Sequence, residues 1–247
     1  MGDARDFKFD RYARVPDSMW AHLREGRISQ HAALLYVFFC GWAGGNVCCK
    51  SHVTIARELG KATGTVSRAH KQLEEAGLVK RWLQPAPTGN WGYHTIVVKS
   101  GEKRGWAKIP QIVVKLKLLS TWDRITLLGV LVQTKGQYKE GGAYEIYHRG
   151  TVWLADFLGR NPSGVRQSFG RLSALGLLER LERIPGETVC WGIPNLRRVN
   201  ILWHKEETKE RQKSTEEAQE MLKSLPLSEN STTKARSIDI PPGGATA

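Results

Sequence analysis

Between Val53 and Arg81 the apolar positions fall at helical spacing in two short blocks. Ile55, Ala56 and Leu59 make one stripe, and Val66, Ala69 and Leu73 make the next. Steps of three and four residues put such side chains on one face of a helix. Gly60 stands between the blocks and Gly77 follows the second, each where a helix can close in the left-handed conformation. Leu78-Val79-Lys80-Arg81-Trp82 then predicts a strand. The stretch therefore predicts helix, tight turn, helix, glycine stop and strand.

The same pattern returns in Arg149–Arg180. Ala56 matches Ala155, Leu59 matches Leu158, Gly60 matches Gly159, Val66 matches Val165, Leu73 matches Leu172, and Gly77 matches Gly176, at a constant separation of 99 and without a gap. The lead-ins correspond too: Tyr12-Ala13-Arg14-Val15-Pro16 resembles Trp106-Ala107-Lys108-Ile109-Pro110. A gapless match through two helices, two glycine stops and a lead-in predicts an internal duplication.

Around these motifs the chain reads in order. Met19–Arg24 predicts a short helix, and Ser29 an N-cap for a core helix over Gln30–Trp42. Ser51 is the expected cap of the helix ending at Leu59. Past Trp82 the pattern predicts a hairpin with its loop at Pro85–Asn90 and its return strand over Tyr93–Val98. Ser100–Gly105 reads as a linker. In the second half, Ser120 or Thr121 caps a helix through Val132, and Tyr144–Tyr147 suggests a small strand. Asn161-Pro162 is a cap followed by a first-position proline. Leu178–Arg183 and Thr188–Trp191 make a shorter hairpin. Trp203–Ser224 is a highly charged helix without apolar heptads, and Pro226–Ala247 has the composition of a disordered segment. The expected domains are 12–100 and 106–202, then a charged helix over 203–224 and a disordered tail over 225–247. The expected class is mainly α with small β hairpins.

Charge changes the picture from fold to partner. Residues 1–105 carry 16 Lys and Arg against 9 Asp and Glu; residues 106–203 carry 14 against 7. Each half is thus +7, while residues 204–247 are −1. An excess shared by the two repeats and missing from the tail is the footprint of a polyanion binder with two equivalent modules. Cys40, Cys48, Cys49 and Cys190 form no spaced pair and read as reduced thiols of a cytoplasmic protein, and a zinc site built from the first three with His52 has the wrong spacing. Met1–Arg14 is charged throughout, unlike a secretory leader, and no apolar run reaches spanning length, so no membrane role is expected. Walker, metalloprotease and nucleophile-elbow motifs are missing, so no enzyme, cofactor, catalytic residue or metal is expected.

Leu59-Gly60, Thr65-Val66-Ser67-Arg68 and Leu73-Glu74-Glu75-Ala76-Gly77-Leu78-Val79 resemble the winged helix-turn-helix domains of bacterial, phage and plasmid DNA-binding proteins. The resemblance covers about residues 12–195. It implies that the second helix of each repeat is a recognition helix and each hairpin a wing. With Val66, Ala69 and Leu73 inward, Thr63, Thr65, Ser67, Arg68 and Lys71 face outward. With Val165, Phe169 and Leu172 inward, the outward set is Ser163, Arg166, Gln167 and Arg171. Arg pairs bidentately with guanine and Gln with adenine, so these side chains suit base edges. Lys80, Arg81 and Lys99 flank the first wing, and Arg180 and Arg183 the second, as phosphate contacts. His70 falls on the apolar face and reads as packing. Ala62 stands where a capping Ser or Asn is usual, and Thr63 is the alternative cap, which shifts the outward register by one.

The expected function is sequence-specific binding of double-stranded DNA by two recognition helices in one chain. It serves transcription regulation or replication initiation of a mobile element. Two unlike helices imply a direct-repeat or asymmetric site. The competing class is a winged-helix adaptor that docks a protein partner, and self-association or contact with replication or transcription machinery are the further partners expected.

Overall fold

A computed structural model describes residues 12–42, 47–85, 91–98, 106–133, 150–180, 191–194 and 196–224. The chain is mainly helical, with small antiparallel sheets. It divides into two units, Met1–Glu207 and Thr208–Ala247.

The first repeat runs β1 (Tyr12–Pro16), α1 (Asp17–Arg24), α2 (Gln30–Trp42), β2 (Val47–Cys48), α3 (His52–Leu59), α4 (Thr63–Glu75), β3 (Val79–Pro85) and β4 (Trp91–Val97). The caps predicted from sequence are in place. The Ala32 N–H donates to Ser29 Oγ at 3.3 Å, and the Thr54 N–H to Ser51 Oγ at 3.2 Å. Ser29 also ties α2 to α4, its hydroxyl donating to Gln72 Oε1 at 2.6 Å. Gly60 closes α3 at φ +63°. Thr63 is not a cap: α4 starts there, and Ala62 precedes it with no side-chain bond. Extended backbone at Ala62 suffices to start the helix, so the outward register is the unshifted one. β2, not foreseen, pairs with β4 and makes the first hairpin a three-stranded sheet ordered β2-β4-β3. Two residues are too short to leave a periodic signal.

The second repeat runs β5 (Trp106–Pro110), α5 (Ile112–Lys115), α6 (Thr121–Gln133), α7 (Thr151–Leu158), α8 (Pro162–Ala174), β6 (Leu178–Arg180) and β7 (Trp191–Pro194). The Asp123 N–H donates to Ser120 Oγ, and the Ser163 N–H to Asn161 Oδ1. β7 continues past the expected end at Trp191 to Pro194, with buried Leu178 opposite Pro194 and a register shift before Arg180 meets Trp191, while residues 188–190 of the expected strand lie outside the described residues. The linker 100–105, the segment 144–147 and the tail 225–247 fall outside the described residues.

The lead-ins cross. β1 and β5 form an antiparallel ribbon with Tyr12 opposite Pro110, Pro16 opposite Trp106, and Arg14 opposite Lys108 at its centre. Equivalent residues thus pair with each other's mirror positions, which is a local twofold. Beyond the ribbon, α1 packs on α7 and α5 packs on α3, so each lead-in helix covers the other repeat. Trp20 of α1 meets the Phe157 ring of α7 at 5.3 Å, and Phe157 stacks on Trp153. α2 and α6 pack together between them. One apolar core runs from Ala13 to Val199 through both repeats.

Helix α9 (Leu196–Ser224) starts seven residues before the expected Trp203. Val199 is buried and Leu202 and Trp203 half-buried, at the three- and four-residue steps of a docking stripe. Glu206 accepts from the backbone N–H groups of Lys117 and Leu118, and Arg198 donates to the Leu175 carbonyl at 3.1 Å. In the second unit the helix continues as an exposed, charged segment with a Lys213–Glu217 pair.

Candidate nucleic-acid interface

The second helices of the repeats, α4 and α8, are both 13 residues long and bury corresponding stripes. Val66, Ala69, His70 and Leu73 face the core in α4; Val165, Ser168, Phe169 and Leu172 do so in α8. Neither helix has an acidic residue in its first turn.

On the opposite face of α4, Thr63, Ser67, Arg68 and Lys71 are exposed. Arg68 makes only a long bond from Nε to the Gly64 carbonyl at 3.4 Å. Lys71 lies 3.7 Å from Glu75 with both side chains mostly in water, a pair that screening leaves weak. Thr65 departs from expectation. It is half-buried and lines a small cleft with His31, Leu34, Leu35, Leu59 and Val66, because its position borders the stripe that packs on α2.

On α8, Ser163, Arg166 and Gln167 are exposed. Arg171 is exposed on the same face, as expected, and is also held by a partner within the fold. Its guanidinium is bidentate on Asp123 of α6, Nε to Oδ2 at 2.9 Å and Nη2 to Oδ1 at 2.7 Å. Asp123 is 2% exposed, so the pair ties α8 to α6 from the buried side, while about half of the Arg171 side chain stays in water. Burial alone would raise the Asp123 carboxyl, but hydrogen bonds from Arg171, Ser168 and Ser120 outweigh it and hold the pKa below the usual carboxylate value. Arg160 completes the cluster, donating to Ser168 Oγ at 2.7 Å and lying over the Trp122 ring at 4.6 Å. Ser120-x-x-Asp123 is a capping-box spacing and was the available signal for this carboxylate.

Lys80 and Arg81 are exposed at the start of β3. Arg81 forks onto Glu74 at the end of α4, with Nε 2.6 Å from Oε1, so hairpin and helix are braced together. Of Arg180 the backbone strand is described; Lys99 and Arg183 lie outside the described residues.

A polar relay lies beneath this face. His52 Nε2 is 2.8 Å from His70 Nδ1, and His70 Nε2 is 3.2 Å from Thr95 Oγ1. It links the start of α3, the middle of α4 and the returning strand β4. Burial, and then the neighbouring His52, push His70 down to about 4, and burial with Arg81 lowers His52. Both rings are neutral at pH 7, one nitrogen donating and the other accepting. His70 is packing, as expected, but satisfied packing.

Among the described residues no group of three His, Cys, Asp or Glu is placed to hold a metal ion, and no helix is long and apolar enough to cross a membrane. No protein-family model matches the chain, and no curated protein matches its sequence.

Proposed function

We propose that the chain is a sequence-specific double-stranded DNA-binding protein whose two repeats are winged helix-turn-helix modules. α4 and α8 are its recognition helices, and it acts in the cytoplasm in transcription regulation or in replication initiation of a mobile element. The observation that carries this is the composition of two equivalent helix faces. Thr63, Ser67, Arg68 and Lys71 on α4, and Ser163, Arg166 and Gln167 on α8, stand exposed with no acidic residue in either first turn. Such faces offer donors to base edges and charge to phosphates, and the helix N-termini add free N–H groups. The +7 carried by each half of the sequence supports the same partner.

The antiparallel β1–β5 ribbon favours one version of the target. We infer that the ribbon's twofold, carried on by the reciprocal packing of α1 on α7 and of α5 on α3, relates α4 to α8, so that the half-sites face each other while differing in sequence. An asymmetric, head-to-head site fits this better than a direct repeat.

Selection of bound duplexes from a random library, followed by a salt titration on the selected site, tests the proposal. Affinity should fall linearly with log salt, with a slope near −0.9 per phosphate contacted. Replacing Arg68, Lys71 and Arg166 together by alanine should weaken binding by tenfold or more and flatten that slope. If no duplex is enriched, or if the triple variant binds as well as the parent, DNA is not the partner. A protein-docking role for the same faces would then be the one to pursue.

A further inference from the structure

We propose, on the DNA-binding reading given above, that Arg124 is a positioning residue that locks the two recognition helices into one fixed geometry, so that the chain measures the spacing between half-sites. Arg124 belongs to α6 of the second repeat and is 1% exposed. Its Nη1 donates to the Leu59 carbonyl at 2.7 Å and to the Val114 carbonyl at 2.9 Å, and its Nε to the Leu119 carbonyl at 3.1 Å. Leu59 is the last residue of α3, on the turn from which α4 departs in the first repeat. A single guanidinium thus joins the turn before one recognition helix to the framework of the other.

The tie is not replaceable by water. A buried guanidinium whose partners are main-chain carbonyls has nowhere else to place its donors, and releasing it strands both charge and acceptors. The second turn is held reciprocally. A Cβ on Gly159, which follows α7, would come within 2.7 Å of the Arg24 carbonyl oxygen at the end of α1. Lys115 adds an ion pair from α5 to Glu58 of α3 at 2.9 Å. Each turn that aims a recognition helix is therefore fixed by the opposite repeat, and Arg124 has no counterpart in the first repeat, where Ala33 stands in the matching position of α2. A pair so preorganised engages two half-sites without a further ordering cost, but only at one spacing. Each inserted base pair moves a half-site about 3.4 Å along the axis and turns it by roughly a tenth of a turn.

Two measurements on the full chain test this. In the first, 1, 2 and 5 base pairs are inserted between the half-sites of the selected duplex. The parent should lose tenfold or more in affinity at two inserted pairs. Arg124→Met should lose less than threefold, and Arg124→Lys should fall between. In the second, without DNA, spin labels carried on non-canonical residues replace Glu75 and Ala174 at the exposed ends of α4 and α8. The interlabel distance distribution should be single and narrow in the parent and broadened in the Arg124 variants. A parent that tolerates five inserted pairs overturns the proposal even if Arg124→Met does not fold. So does an unchanged spacing profile or distance distribution in a folded variant. Failure to select any duplex would instead remove the DNA-binding reading, and the distance measurement would still decide whether Arg124 locks the helices.

Discussion

His70 shows how one side chain can connect acidity to the stability of the core beneath α4. The ring is 2% exposed and sits between His52 and Thr95. Its folded pKa of about 4 lies below the ordinary histidine value near 6.5, because burial opposes its charging and His52 adds to that opposition. The unfolded chain therefore binds this proton first. The contribution is fully present above pH 6.5 and is lost as pH falls from there through about 4. Between pH 7 and 5 the loss should be on the order of 2 kcal/mol, readable as a falling denaturant midpoint. In His70→Leu the slope of stability against pH over that range should flatten, even though the variant is less stable at pH 7. An unchanged slope would show that His70 does not govern the acid limb. Arg171 teaches a related lesson. Its place on the outward face of α8 was legible in the sequence, yet its partner, Asp123, lies 48 positions away, and helical spacing carries no information about such a pair.

The helices that build each repeat meet at turns whose tolerances differ. Gly60 and Gly159 both have positive φ, so alanine at either costs about 1–2 kcal/mol for the left-handed backbone. At Gly60 the nearest atoms to the new methyl are side-chain carbons of Lys117 at 3.0–3.3 Å, with no backbone among them. At Gly159 it would meet the Arg24 backbone at 2.7–2.8 Å, and forcing two main chains apart adds about 1–3 kcal/mol. Gly159→Ala should therefore lower the chemical-denaturation free energy clearly more than Gly60→Ala; equal losses would place the α1–α7 contact elsewhere. The two glycines are equivalent in sequence, 99 positions apart at matching places in the two repeats. Elements were legible because their signals are local: Ser51, Asn161 and the apolar stripes sit within a few residues of what they specify. β2 and the true start of α9 were missed for the opposite reason. Two residues of strand acquire meaning only beside β4, and Val199 reads as part of a helix only once it has a core to enter.

At the scale of the whole molecule, the duplication predicted two similar halves, and the structure crosses them. Repeats that trade lead-in helices and share a core from Ala13 to Val199 should not melt independently. Calorimetry of the full chain should give one transition whose calorimetric and van't Hoff enthalpies agree, with the exposed part of α9 contributing little. Two resolved transitions would show that the halves are separable. The crossing was beyond sequence periodicity, since a repeat folded on itself and a repeat folded on its sibling bury the same stripes. The pairing of Tyr12-to-Pro16 with Trp106-to-Pro110 and the packing of α1 on α7 and α5 on α3 distinguish them.

That β1–β5 ribbon also bears on how the molecule is made. As the chain leaves the ribosome, α3 emerges before α5, the helix that covers it, and β1 waits for a strand more than ninety residues behind it. At bacterial to eukaryotic synthesis speeds of about 5–20 residues per second, that wait lasts roughly 5–20 seconds. The nascent first half is then a surface with an unfilled edge until its sibling strand and helix arrive.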